Sequence, residues 1–95
     1  MTTPEPLLHY SLTDHAKVQM TRRQIREEDI ANVLAAPEQV DVVRAARRVY
    51  QSRVLLGKPP KTYLLRVFVD IDRDPPTVVT VYLTSKIMKY WRAKR

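Results

Sequence analysis

Apolar positions along this chain follow two different periods, and the change between them falls near residue 37. Before it the spacing is three or four. In "DHAKVQMTRR" Ala16 and Met20 stand four apart on one side of a predicted helix, with Thr13 placed to cap its start. Ile30, Val33 and Leu34 repeat at i, i+3 and i+4, which predicts a second helix over residues 27–36. Glu27, Glu28 and Asp29 suit its positive first turn, and Pro37 lies just past its end. After Pro37 the period becomes two. "EQVDVVR", "RRVYQSRVLL", "KTYLLRVFVDI" and "TVVTVYLTSK" read as strands, separated by "LGKPPK" and "DRDPP", whose Gly, Pro and Asp belong in turns. "HYSLT" is expected as a short edge strand before Thr13. Residues 1–7, with two prolines and two threonines, are expected as a loose lead-in, and residues 86–95 as a short basic helix or ordered tail. Helices followed by a meander predict an α+β fold: one domain over residues 1–95, with two N-terminal helices packed on a four-stranded antiparallel sheet.

The last strand raises a question of purpose. One of its faces is hydrocarbon (Val79, Val81, Leu83), whereas the other carries Thr80, Tyr82 and Thr84 and runs on to Lys86. A turn centred near Arg73 would place Phe68 opposite Val78, Arg66 opposite Thr80 and Leu64 opposite Tyr82. Arg66 then shares a face with Thr80, Tyr82 and Thr84, and Leu65, Val67, Val79 and Val81 form the other. That row is either a solvated sheet face or a surface built to hold phosphate.

Charge sharpens the question. The 95 residues carry a formal net charge of +7, and the excess is segregated. Residues 1–43 hold four cations against seven acids, and residues 44–95 hold thirteen cations against three acids. A basic sheet-forming half beside a mildly acidic helical half points to a polyanionic partner, nucleic acid first. The bland alternative is that the cations merely solvate the surface. With 44% hydrophobic and 28% charged residues the composition is that of a globular chain and not a disordered one. The absence of cysteine excludes disulfide and thiolate chemistry and makes a reducing cytoplasm the simplest expectation. "MTTPEPLLHY" has neither the basic nor the long apolar region of a secretory signal, and no apolar run approaches the length of a membrane span.

Several motifs can be set aside. "DIDRD" lacks the Gly and distal Glu of a calcium loop. Two histidines six residues apart without cysteine make no zinc site, so no metal or cofactor is expected. A single glycine, Gly57, rules out a Gly-rich phosphate loop, and Ser11, Ser52 and Ser85 have no evident triad partner.

In combination, "YSLTDHAKVQMTRRQIREEDIANVLAAPEQV", "RRVYQS", "YLLRVFVD" and "VVTVYLTSKIMKYW" resemble the family called domain of unknown function 4258, over about residues 9–91. That family in turn resembles the RelE/ParE-type toxins, small basic proteins with two helices on a four-stranded antiparallel sheet. Many of these cleave messenger RNA on the ribosome and are silenced by an antitoxin, whereas others poison gyrase or show no activity. The resemblance therefore implies a RelE-like fold, a metal-independent endoribonuclease, and RNA or the ribosome as partner, with an acidic antitoxin as a possible second one.

Cleavage by the 2′-hydroxyl of RNA requires a group to remove its proton, charge to stabilise the pentacoordinate phosphate, and a proton for the leaving 5′-oxygen. His15 is the natural proton shuttle, in one helical stripe with Gln19 and Arg22. A purely structural ring in the first helical turn is an equally open reading. Arg66, Tyr82 and Lys86 complete the candidate catalytic set. Arg22 and Arg23, in the bend, and Arg48, beside the sheet, are candidate phosphate ligands. For the arginine doublet the alternative is an ion pair with Glu27 and Glu28. Tyr50, in strand register with Arg48, is a candidate base-stacking ring, as is Tyr90 within the basic "KIMKYWRAKR", and Thr80 and Thr84 are candidate phosphate-binding hydroxyls. A non-catalytic RNA-, ribosome- or protein-binding module of the same fold is the competing expectation.

Overall fold

A computed structural model describes residues 6–91, so residues 1–5 of the expected lead-in, and Arg92, Lys94 and Arg95 of the basic tail, lie outside the described residues. The order of elements is β1 (Ser11–Leu12), α1 (Asp14–Arg23), α2 (Glu27–Ala35), β2 (Gln39–Arg44), β3 (Arg47–Leu56), β4 (Lys61–Asp70), β5 (Thr77–Thr84) and α3 (Ile87–Tyr90). The fold is α+β. Its sheet has the order β1-β5-β4-β3-β2, in which β1 runs parallel to β5 and all other neighbours are antiparallel. The expectation of four antiparallel strands is thus corrected to five in a mixed sheet. The additional strand is the short edge piece at Ser11–Leu12, which pairs with Thr77 and Val78. Residues at the end of the lead-in are not loose: the Leu7 N–H donates to the Leu34 carbonyl (2.7 Å), and Leu7 packs on the core.

Local chemistry explains where the helices begin and end. The Thr13 Oγ1 accepts from the Ala16 N–H at 3.0 Å and donates to the Val79 carbonyl at 3.2 Å, so one hydroxyl caps α1 and fastens it to β5. Gln24 adopts the left-handed conformation (φ 56°) and turns the chain out of α1. The Arg26 N–H is then held by the Asp29 carboxylate at 2.9 Å, the carboxylate half of a capping box, as α2 begins.

Both helices cover one face of the sheet. Ala16, Met20, Ile25, Ile30, Val33 and Leu34 pack there on Tyr50, Leu65, Val67, Val69, Val78 and Val81. Side chains alternate along each strand, so Gln51, Arg66, Phe68, Thr80, Tyr82 and Thr84 belong to the opposite, outer face.

The β4–β5 register differs by two places from the sequence reading: Arg66 is opposite Tyr82, Phe68 opposite Thr80 and Leu64 opposite Thr84. The connection over residues 71–76 pairs Asp70 with Thr77, and an irregularity in the ladder between Phe68 and Val69 supplies the rest of the shift. An even displacement preserves side-chain parity, so the expected grouping of Arg66 with Thr80, Tyr82 and Thr84 holds. Beyond the bulge parity changes, and Val78 instead of Val79 enters the core.

At the far end of the sheet Asp70 receives a two-pronged ion pair from Arg47 (2.6 and 3.1 Å), with Arg73 at 3.6 Å. The Arg47 hydrogen bond holds the Asp70 carboxyl below its ordinary pKa against a smaller opposing effect of burial. A carboxyl depressed in the folded state adds stability above the unfolded pKa of about 4 and loses it as pH falls through the folded value. Asp70→Asn should therefore cost about 1 kcal/mol at pH 7. The difference from the parent should shrink as pH falls below about 4 and vanish only once it has passed the folded value, which thermal melts across the acid range would show.

Candidate nucleic-acid interface

The outer face carries a cluster of one guanidinium and three aromatic rings. Arg66, on the central strand β4, is half-buried, and its Nε donates to the Gln51 Oε1 at 2.9 Å across the β3–β4 ladder. Its guanidinium carbon lies 4.4 Å from the centre of the Tyr90 ring and 5.3 Å from that of Phe68. Tyr90 comes from α3, which follows β5 and returns the chain over this face. Its ring meets Tyr82 edge-on at 5.7 Å, and its carbonyl accepts from the Gln51 Nε2 at 3.2 Å. Gln51 is 2% exposed and also donates to the Gln39 Oε1, so this buried amide ties β2, β3, β4 and α3 together.

Arg53 and Trp91 extend the cluster. The Arg53 guanidinium stacks over Trp91 at 4.5 Å and is matched by Glu38 through contacts of 2.6 and 3.2 Å. Arg53 is therefore neutralised. Arg66 has a neutral amide and aromatic rings as its close partners, with Asp41 near enough to act on it electrostatically. Burial lowers the Arg66 pKa, and Tyr90, Asp41 and Tyr82 oppose that shift. The Tyr90 phenol is held below its ordinary value chiefly by Tyr82, with Lys89 and Arg66 adding to the effect and burial opposing it.

Of the residues singled out in the sequence, Arg66, Tyr82 and Tyr90 converge here. Thr80 and Thr84 share the face, although Thr84 is 9% exposed and its hydroxyl accepts from the Lys86 N–H (3.0 Å). Lys86 is exposed, at the N-cap of α3. The remainder are elsewhere. His15 is exposed in the first turn of α1, on the helical side of the sheet, so the expected meeting of imidazole, Arg66 and Tyr82 in one cleft is corrected. The cause is parity: Ala16 and Met20 pack on Leu65, Val67 and Val81, the face that alternates with Arg66 and Tyr82.

Arg22 and Arg23 are exposed in the last turn of α1, also on the helical side, and the ion pairs with Glu28 and Asp29 fall to Arg26 instead. Arg48 and Tyr50 do share a strand face, but it is the helical one. Arg48 is opposite Val69 at the far end, and Tyr50, 6% exposed, is a core ring and no stacking surface.

Gln51, Phe68 and Arg53 escaped the sequence reading as parts of this site, whereas Trp91, expected beside Tyr90 in the basic aromatic segment, is found there. A signal for Gln51 existed: it is a polar residue in the apolar strand "RRVYQSRVLL", and a hairpin closed by "LGKPPK" puts it beside Arg66.

The fold and this face define a small α+β domain with a cationic, aromatic sheet surface. Residues 12–83 match the family described as domain of unknown function (DUF4258), and the chain belongs to that family. The match includes Arg66 and Tyr82 and ends before Tyr90 and Trp91. No curated protein and no solved structure matches the chain. Among the described residues, no helix is long and apolar enough to cross a membrane, and no three His, Cys, Asp or Glu side chains gather as metal ligands would.

Proposed function

We infer that this protein binds single-stranded RNA through the outer sheet face, with Arg66 as the phosphate ligand and Tyr82, Tyr90 and Trp91 as the aromatic surface. The observation that carries this reading is the setting of Arg66: half-buried, oriented by a neutral glutamine, and framed by rings on a hydroxylated face. A guanidinium presents a planar fork of donors to phosphate, and adjacent rings take unstacked bases, a combination that suits single strands better than duplexes. The excess of cations in residues 44–95 supplies long-range attraction. Resemblance to the RelE/ParE-type toxins also supports an RNA ligand, free or on the ribosome. An acidic antitoxin-like partner is the competitor that charge would admit to the same face.

A nuclease is the second reading, favoured by one observation. The lowered Tyr90 phenol touches both Tyr82 and Arg66, so a proton-transfer group and a phosphate ligand stand together without His15. In that chemistry the 2′-oxygen loses its proton, attacks phosphorus and expels the 5′-oxygen, which takes up a proton. The products are a 2′,3′-cyclic phosphate and a 5′-hydroxyl.

Both readings meet in one experiment. Fluorescence anisotropy with a labelled single-stranded RNA, repeated at several salt concentrations, should give an affinity that falls linearly on a log–log plot. About three phosphate contacts would give a slope near −2. His15→Ala should leave the affinity unchanged. Analysis of the same RNA for cyclic-phosphate ends, with and without ribosomes, separates binder from nuclease. No binding at low salt, or an affinity insensitive to salt, would dismiss the outer-face reading.

A further inference from the structure

We propose that a cavity on the helical side of the sheet, between the end of α1 and the β3–β4 hairpin, takes one nucleotide unit, with its base against Tyr63 and its phosphate on Arg23. The cavity measures about 360 Å³ and is lined by Arg23, Gln24, Leu56, Gly57, Tyr63 and Leu83. It arises because α1 is shorter than the strands beneath it. The helix stops at Arg23, and Gln24 turns the chain away toward buried Ile25. The strands β3, β4 and β5 run further. Leu56, Tyr63 and Leu83 have the parity of the helical face, so they form a floor with no helix above it.

The chemistry of the walls selects the occupant. Arg23 is exposed and makes no ion pair among the described residues, where the ion pairs to Glu28 and Asp29 come from Arg26. The Lys61 Nζ lies 5.7 Å from the centre of the Tyr63 ring, giving a cationic rim around a half-buried aromatic floor. An anion bearing a flat ring satisfies both features: the ring stacks on Tyr63, and the phosphate meets the Arg23 fork. The Gln24 amide supplies a donor and an acceptor for a base edge. Gly57, at φ +93°, bounds the cavity in a conformation that L side chains avoid, so this wall carries no side chain. The volume is at the lower end of the range of about 300–1,000 Å³ for small-molecule sites, which fits one nucleotide and not a folded peptide segment.

This site does not depend on the outer face. Tyr63 and Leu64 are neighbours in β4 with opposite parity, so the cavity backs onto the end of the sheet where Leu64 pairs with Thr84 on the outer side. A free nucleotide and a nucleotide within a bound strand offer the cavity the same groups, and the probes are chosen to separate them.

Amide NMR spectra of the whole chain would be followed during titration with adenosine 5′-monophosphate, adenosine, inorganic phosphate and a short oligoadenylate. The monophosphate should shift Gln24, Gly57 and Tyr63 saturably, and adenosine or phosphate alone should bind about tenfold more weakly or less. Tyr63→Leu, which keeps the floor apolar, should weaken the monophosphate about tenfold. Arg23→Gln, at an exposed position, should abolish the advantage of the monophosphate over adenosine. Arg66→Met should leave these shifts intact, which distinguishes failure here from failure of the outer face. If only the oligoadenylate moves these amides, and both cavity variants weaken it, the ligand is a unit of a strand. Amides at Gln24 and Gly57 that no probe moves, or binding indifferent to Tyr63→Leu and Arg23→Gln, would overturn the site.

Discussion

Arg66→Met is expected to weaken binding of a single-stranded RNA about 10- to 100-fold, the equivalent of losing one charge-assisted phosphate contact. The side chain is half-buried, so methionine conserves much of its apolar volume while removing the charge and every N–H. Two compensating losses must be measured beside the affinity. Gln51 loses an acceptor role toward the Arg66 Nε but keeps its bonds to Gln39 and to the Tyr90 carbonyl. The Tyr90 ring loses its cation but keeps Tyr82. Circular dichroism and a thermal melt should show a folded protein, destabilised by about 1–3 kcal/mol because the Oε1 of buried Gln51 loses its donor. The slope of log affinity against log salt should become shallower by about one. Arg66→Lys should fall between the two, because it keeps the charge without the planar fork. An Arg66→Met variant that binds RNA as the parent does, with an unchanged salt slope, would remove Arg66 from the interface.

Leu34→Ala should have the largest effect on folding, costing about 2–5 kcal/mol. Leu34 is fully buried where α2 meets the sheet, packed with Ile30, Val33, Leu65 and Val67 in the single helix-side core. Its carbonyl also receives the Leu7 N–H, a bond that the substitution leaves in place, so the loss reports side-chain packing. Against a total stability of about 5–15 kcal/mol the change is severe, and the melting temperature should fall by roughly 10 °C or more. Leu55→Ala provides the contrast: that side chain is 69% exposed and its truncation should shift stability by less than about 0.5 kcal/mol. Similar melting temperatures for the two variants would contradict the assigned core.

The helices and most strand limits were legible in the sequence because each depends on local signals. Thr13 does cap α1, the Ile30, Val33 and Leu34 stripe is buried, and "RRVYQSRVLL" spans the whole of β3. The grouping of Arg66, Thr80, Tyr82 and Thr84 was legible for the same reason, since strand parity survives an even error in register. What could not be read was which layer covers which face. Parity sorts residues into two sets without saying where a helix from elsewhere in the chain will lie. His15 and Tyr50 were therefore joined to Arg66, although packing puts them on the helical side. The bulge at Val79 and the return of Tyr90 and Trp91 across the outer face are tertiary facts with no local period to announce them.

Arg66 is long and has many rotamers, and a free arginine must surrender them when it grips an anion. Here the cost of about 0.5–1.5 kcal/mol for immobilising such a side chain is met when the chain folds, through Gln51 on the Nε and the rings of Phe68 and Tyr90. The guanidinium is thus preorganised, and a phosphate arriving at this face would owe little conformational entropy for the grip.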